Sequence, residues 1–368
     1  MKFICRQENL KTGLNLISHL TTKSKDNLPI LKNILLQAKT GYLELVSTDL
    51  EIVLKTKVRA KIEKQGAITL PGQLFTNYIN SLEPENISFE LKDNTLFISN
   101  KKHKTKINGV PADDYPVLPQ LTKTTQYQIK SNELKQGLEK ILFAISPIEN
   151  RIEISGGLMV FNEPQKGYLT LVGTDSYRLS EKKISLLKTT NNKPRKVIVP
   201  YKTLEEVNRM TNYDKQINIF VSENQIIFFN NTLEVISRII SANYPSYKEI
   251  IPEKVRTKIS LSASEFLDIL RSVSLFSEKD VNDVFLEIKK GKLLITSSSN
   301  IGESQAEINI DLVGENNKIR FNSKYLIDFL NSVKKDEIGI EVVDQNYPAI
   351  FRQKKDTDYL HLIMPVKA

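Results

Sequence analysis

The chain has 368 residues, 40% hydrophobic and 26% charged, which excludes a disordered or fibrous protein and exceeds what one hydrophobic core holds. No apolar run approaches the ~20 residues that cross a bilayer, and MKFICRQENLK meets charge too early for a secretory leader. A single cysteine excludes an internal disulfide framework and fits a reducing cytoplasm, and the scattered His19, His103 and His361 offer neither zinc spacing nor a catalytic pair.

The first elements read cleanly. Phe3-Ile4-Cys5 alternates as a strand, with Cys5 expected as a small core residue. Leu10, Leu14 and Ile17 follow at i, i+4 and i+7, a helix with one buried face. GYLELVSTD (Gly41–Asp49) predicts a strand after a turn. In AITLPGQLFTNYINSL, from Ala67, a strand gives way to a helix at Pro71, where proline costs no helical N–H. ISFELKDNTLFISN (Ile87–Asn100) reads as a hairpin turning at Asp93-Asn94. Tyr115-Pro116 and the polar connector QLTKTTQ close the series.

The series then repeats. Tyr127-Gln128-Ile129 leads to a stripe of Leu134, Leu138 and Ile141, then to GYLTLVGTD (Gly167–Asp175), KVIVPYKTLEEVNRM with Pro200, INIFVSENQIIFFNN (Ile217–Asn231) and Tyr244-Pro245. The third pass has Ile259-Ser260-Leu261, a stripe of Phe266, Leu270 and Val273, GKLLITSSS (Gly291–Ser299), and NKIRFNSKYLIDFLNSV with Asn322-Ser323 as capping side chains. The expected fold is α+β and mostly antiparallel: three domains, 1–122, 123–253 and 254–368, each of two strand-helix-strands modules.

The net charge of +9 favours a polyanionic partner. Its basic clusters lie in loops: Lys23-Ser24-Lys25, KKHKTK (Lys101–Lys106) and NNKPRK (Asn191–Lys196). Among helical positions, Lys11, Lys135, Lys140, Lys202, Arg209, Arg271, Lys324, Lys334 and Lys335 are nearly balanced by acids. The segment GTDSYRLS suggests an enzyme, with Asp175 as base and Ser176 or Tyr177 as nucleophile. Against this, Thr48-Asp49 repeats Thr174-Asp175 without such neighbours, and no histidine or paired carboxylate is spaced to help.

The tripled construction, with MKF, LPILKNILLQ (Leu28–Gln37), TDSYRL (Thr174–Leu179), VIVP (Val197–Pro200), YPSY (Tyr244–Tyr247) and MPVKA (Met364–Ala368), resembles the bacterial DNA sliding clamp family over the whole chain. These are the β subunits of replicative DNA polymerases. The resemblance implies a non-catalytic processivity subunit without cofactor or metal, a head-to-tail homodimeric ring around duplex DNA with helices facing the hole. Its other partners would be the replicative polymerase, an ATP-driven clamp loader (no G-x-x-x-x-G-K-[ST] is present) and further replication and repair proteins carrying a clamp-binding motif. A clamp-like scaffold that binds proteins without encircling DNA is the alternative.

The same resemblance implies site residues. An apolar peptide groove between the second and third domains would be lined by Ile154, Thr174, Ser176, Tyr177, Arg178, Leu179, Pro245, Ile250, Leu362, Met364, Pro365 and Val366, with Arg178 orienting the peptide. Lys23, Lys25 and Arg151 would touch DNA. Ile107, on one side, and Leu275 with Phe276, on the other, would meet at the dimer interface, with Lys104 and Lys106 facing Glu278 and Asp280. Glu249, Tyr177, Thr105 and the ending Lys367-Ala368 depart from common family patterns and put peptide preference and ring strength in question.

Overall fold

The computed structural model describes residues 1–22, 28–117, 126–146, 151–190, 193–278, 281–334 and 336–367. The first repeat comprises β1 (Lys2–Arg6), α1 (Gln7–Ile17), β2 (Asn33–Lys39), β3 (Tyr42–Thr48), β4 (Ile52–Arg59), β5 (Lys61–Lys64), β6 (Gly66–Pro71), α2 (Gly72–Ser81), β7 (Asn86–Lys92), β8 (Thr95–Ser99) and β9 (Lys104–Asn108). The second comprises β10 (Tyr127–Lys130), α3 (Ser131–Ile141), β11 (Gly156–Phe161), β12 (Tyr168–Thr174), β13 (Arg178–Ser185), β14 (Lys188–Thr189), β15 (Arg195–Pro200), α4 (Tyr201–Met210), β16 (Gln216–Val221), β17 (Gln225–Phe229) and β18 (Leu233–Arg238). The third comprises β19 (Thr257–Ser262), α5 (Ala263–Val273), β20 (Asp283–Lys289), β21 (Lys292–Ser299), β22 (Gly302–Asn309), β23 (Asp311–Gly314), β24 (Asn317–Asn322), α6 (Ser323–Val333), β25 (Glu337–Val342), β26 (Ala349–Gln353) and β27 (Asp356–Ile363).

Among the described residues each repeat thus carries nine strands and two helices in the same order. The helical stripes behave as their spacing requires: Leu10, Leu14, Ile17, Leu134, Leu138, Ile141, Phe266, Leu270 and Val273 are all buried, each worth about 1.5–3 kcal/mol of transfer from water. Gly41, Gly167 and Gly291 open their strands with φ of 85°, 84° and 79°, a left-handed turn that glycine adopts without a Cβ penalty. Asn322 caps α6, its side chain accepting from Lys324 N at 2.9 Å. Cys5 is buried, and desolvation pushes its thiol up to about 12.

The chain divides into two compact units that cut through the second repeat: Met1–Ser131 with Arg209–Ile239, and Asn132–Asn208 with Ile240–Ala368. The reason is sheet continuity. In the first unit β18 pairs antiparallel with β4, Val235 opposite Leu54, within the run β10-β16-β17-β18-β4-β3-β2-β6 of a nine-stranded sheet. A separate five-stranded sheet, β5-β1-β7-β8-β9, ends on β9. In the second unit β27 pairs with β13, His361 opposite Ser180, within the nine-stranded order β15-β11-β12-β13-β27-β26-β25-β19-β23. A four-stranded sheet, β22-β21-β20-β24, ends on β22.

The two junctions differ in chemistry. Leu54 and Val235 are apolar; Ser180 and His361 are both fully buried, with Oγ and Nδ1 2.7 Å apart. Phe329 stacks on the imidazole at 5.1 Å and Phe143 and Phe351 flank it. Burial, then the charges of Arg178 and Lys140, holds His361 well below 6.5, in its neutral form. Lys140 is buried as well, donating to Ser332 O and to Gln353 Oε1 at 2.8 Å. Desolvation lowers its ammonium to about 8. It is therefore not one of the exposed helical cations counted in the sequence.

Two stability tests follow. A Cβ on Gly173 would sit 2.6 Å from the Ile141 carbonyl oxygen, backbone that cannot turn aside. Gly173→Ala is expected to lower the urea midpoint, at a cost of roughly 1–3 kcal/mol. For His361, the unfolded imidazole binds a proton near pH 6.5 and the folded one does not. Stability is therefore lost as pH falls below that value, by about 1.4 kcal/mol per pH unit. Urea unfolding at pH 7.5 and pH 5.5 should show a larger loss for the native chain than for His361→Asn.

Candidate functional site

The site begins at the turn between β12 and β13. Asp175 Oδ1 accepts from the backbone N–H groups of Tyr177 and Arg178, both at 3.0 Å, while Thr174 Oγ1 donates to Arg178 O at 2.7 Å and accepts from Ser176 N at 3.2 Å. These bonds hold Ser176 at φ 80°. The first repeat builds the same turn: Asp49 Oδ1 accepts from Glu51 N and Ile52 N, Thr48 Oγ1 donates to Ile52 O, and Leu50 sits at φ 74°. The Thr-Asp pair is turn architecture. With Oδ2 of Asp175 bound to Arg178 Nε at 2.9 Å, this carboxylate is committed on both oxygens and is no general base.

Arg178 links this turn to α6. Its Nη1 donates to Asp328 Oδ2 at 2.5 Å, and its guanidinium lies 4.6 Å from the Tyr325 ring centroid and 5.5 Å from that of Phe143. Its side chain is only 11% exposed. Arg178 thus makes internal ion pairs with Asp175 and Asp328 that tie the turn to α6. Tyr177, by contrast, is 62% exposed and lies parallel to Tyr325 with centroids 6.5 Å apart. Burial, and next the Asp175 carboxylate, raises the Tyr325 hydroxyl above its ordinary range.

The floor beside Tyr177 is apolar. Leu179 and Leu362 are cross-strand partners and belong to one buried cluster with Leu158, Val172, Ile198 and Tyr247. Tyr247 donates its hydroxyl to Glu181. Met364, Pro365 and Val366 leave β27 half-buried; Met364 N donates to Tyr177 O at 2.8 Å and Val366 N to Arg320 O at 2.8 Å. Pro245 and Ile250 are exposed on the segment that crosses the cluster. Ile154, expected to line the groove, lies buried in the 3-10 turn Ile152–Ile154, and its neighbour Ile152 is the exposed side chain.

Other expected residues fall elsewhere. Lys23 and Lys25 lie outside the described residues, as does Asp280. Arg151, expected at DNA, donates to Ser176 Oγ at 2.6 Å and to Glu153 Oε1 at 2.9 Å, so it borders the Tyr177 turn. Ile107 was expected at an intersubunit contact, but its side chain is buried within its own sheet. Alternation along β9 turns Thr105 and Ile107 inward, Thr105 accepting from Tyr78 OH at 2.8 Å, and leaves Lys104 and Lys106 outside. Leu275 is 74% exposed, and the Phe276 ring lies against Gly302, the first residue of β22.

Sequence reading missed Tyr325, Asp328, Phe143 and Ile301. Tyr325 and Asp328 stand at i, i+3 beside the buried stripe of α6, a visible pairing whose partner element is not. Ile301 is 79% exposed and precedes Gly302, against which the Phe276 ring lies. No cluster of metal-ligating residues occurs among the described residues, and none of their helices is long and apolar enough to cross a membrane.

The family profiles that match are those of the DNA polymerase III beta subunit: its N-terminal domain over residues 1–119, its central domain over 128–246 and its C-terminal domain over 248–367. The beta sliding clamp of Staphylococcus epidermidis is 29% identical over 372 residues, covering 97% of this chain and 96% of its own. The Bacillus subtilis DNA polymerase sliding clamp matches at a TM-score of 0.94 and 26% identity, over 100% of this chain and 99% of its own. The Pseudomonas aeruginosa DNA polymerase III subunit beta shares the fold at a TM-score of 0.94 and 22% identity, over the full length of both chains. With a repeat architecture and profiles that agree from end to end, this chain belongs to the DNA polymerase III beta subunit family, the bacterial sliding clamps.

Proposed function

We propose that two copies of this clamp join β9 of one to β22 of the other, at both ends, and so close a ring that slides on duplex DNA. The observation carrying this is an unfinished repeat. β4 pairs with β18 and β13 with β27, the fourth strand of one repeat with the ninth of the next. Among the fourth and ninth strands of the described repeats, only β22 of the third and β9 of the first end their sheets. The four-stranded and five-stranded sheets together would reproduce the nine of the finished one. Charge favours the same pairing: Lys104 and Lys106 are exposed on β9, and Glu303 and Glu307 on β22. Leu275 and Ile301 supply apolar area beside that edge, and Ile107 supports β9 from within.

A ring holds DNA by topology, so its phosphate contacts are weak and interchangeable and carry no sequence information. Lys23, Lys25 and Arg151 are the proposed contacts, Arg151 at the cost of its bond to Ser176. The protein is then a non-catalytic processivity subunit, and opening its ring falls to an external ATP-driven loader. The replicative polymerase and other motif-bearing proteins would insert apolar side chains over Leu179 and Leu362, between Tyr177 and the tail Met364–Val366. Three domains bounded near residues 122 and 253 follow from the repeats.

Three outcomes are expected. Loaded onto nicked circular DNA, the protein should be retained and then lost on linearisation across a salt series; equal retention on linear DNA would favour the scaffold reading. Leu275→Asp should sediment as a folded monomer at micromolar concentration and lose circular retention, and a native chain that is itself monomeric there would refute the ring. Tyr177→Ala should keep circular retention while weakening a polymerase-derived motif peptide about tenfold or more.

A further inference from the structure

The three repeats carry one further corresponding position, on the sheet face that each repeat's outgoing chain crosses. In the first repeat Leu35 stands opposite both Val46 and Thr69, and Thr69 exchanges two 3.0 Å backbone bonds with Val110. The chain then lays Tyr115 onto Leu35 and Val46, its hydroxyl reaching Val46 O at 3.5 Å. In the second, Leu158 stands opposite Val172 and Ile198, and Ile240 N donates to Ile198 O at 2.9 Å. Four residues on, Tyr244 packs on that cluster with its hydroxyl 3.5 Å from Val172 O. Both tyrosines precede a proline.

The third repeat has the same frame. Phe285 stands opposite Thr296 and Arg320, and Val366 N donates to Arg320 O at 2.8 Å, the counterpart of the Ile240 bond. Here no tyrosine among the described residues covers the face. Leu35 and Leu158 are buried, but Phe285 is 47% exposed, and a cavity of about 350 Å³ lies over it, walled by Thr296, Ser298, Lys318 and Arg320. The Arg320 guanidinium is 5.7 Å from the Phe285 centroid and is anchored to Asp283.

We propose that this cavity is a second docking site, independent of the Tyr177 groove, and that it takes an extended tyrosine-proline segment of another protein in the place the chain's own connectors fill in the first two repeats. The tyrosyl ring would lie on Phe285 beside Arg320, aromatic and cation–π contact together, with its hydroxyl toward the Thr296 carbonyl, the counterpart of those of Val46 and Val172. The two earlier copies say what shape fits, and the polar third lining selects a ring with a hydroxyl over an aliphatic side chain. Because the tail carrying Met364 also reaches Arg320, one partner spanning both sites would gain from the tether.

The chain contains no tryptophan, so Phe285→Trp provides a single reporter at an exposed position. The full-length variant is titrated with a capped peptide copying residues 240–248, ISANYPSYK. A saturable emission change is expected, weakened at least tenfold by Tyr244→Ala in the peptide and by Ser298→Arg in the protein, and unchanged by Tyr177→Ala in the protein. The proposal is overturned by no saturable change up to millimolar peptide, by equal binding of the Tyr244→Ala peptide, or by loss of signal with Tyr177→Ala, which would assign the peptide to the groove. Displacement of the peptide by a short oligothymidylate would overturn it too, making the cavity a nucleotide site.

Discussion

Backbone N–H and C=O groups along a sheet edge require a partner, and an edge left open is a template for the next strand. This requirement organises the molecule. Each repeat ends on a hairpin strand whose outer edge needs covering, and each has a fourth strand able to cover it. Pairing within a repeat is never used for that purpose: β18 goes to β4 and β27 to β13. Sheets consequently run across the boundaries between repeats, and the compact units cut through the second repeat. The same rule leaves one edge of each kind over, so the proposed assembly would continue folding by the same hydrogen bonds.

At the second junction polar chemistry replaces the apolar pairing of the first. Ser180, His361, Lys140, Gln353 and the Asp175–Arg178–Asp328 chain occupy or border positions where the first junction has Leu54 and Val235. Buried polar networks gain little net stability, but when satisfied they specify one geometry. The Tyr177 turn and α6 come from different repeats, and Arg178 bonds to both. Walls set in this way would let the proposed peptide groove bind without first paying to organise itself.

The charge of the chain agrees with retention by enclosure. Exposed helical residues such as Lys11, Lys202 and Arg271 are accompanied by Glu8, Glu205 and Glu265, and the lysine once counted at position 140 is buried. A protein that gripped phosphates tightly would concentrate cations on one face and move poorly along the duplex. Here the excess sits largely in loops and on the β9 edge, where it meets glutamates of the β22 edge in the proposed assembly.

The sequence by itself determined the repeat, its strand and helix order and the buried stripes, because periodicity and turn chemistry are local and Leu10, Leu14 and Ile17 need only their own helix to declare a face. It also marked Thr174-Asp175 as architecture, since the bonds that close that turn span only four residues. Tertiary structure decided what was non-local. That Arg178 pairs with Asp328 depends on a carboxylate 150 residues away. Whether Ile107 faces a partner or its own core depends on strand register, which a single residue of slip inverts. Lys140 counted as a surface charge until Ser332 and Gln353 closed over it. Burial is a property of what arrives from elsewhere in the chain, and no local pattern encodes it.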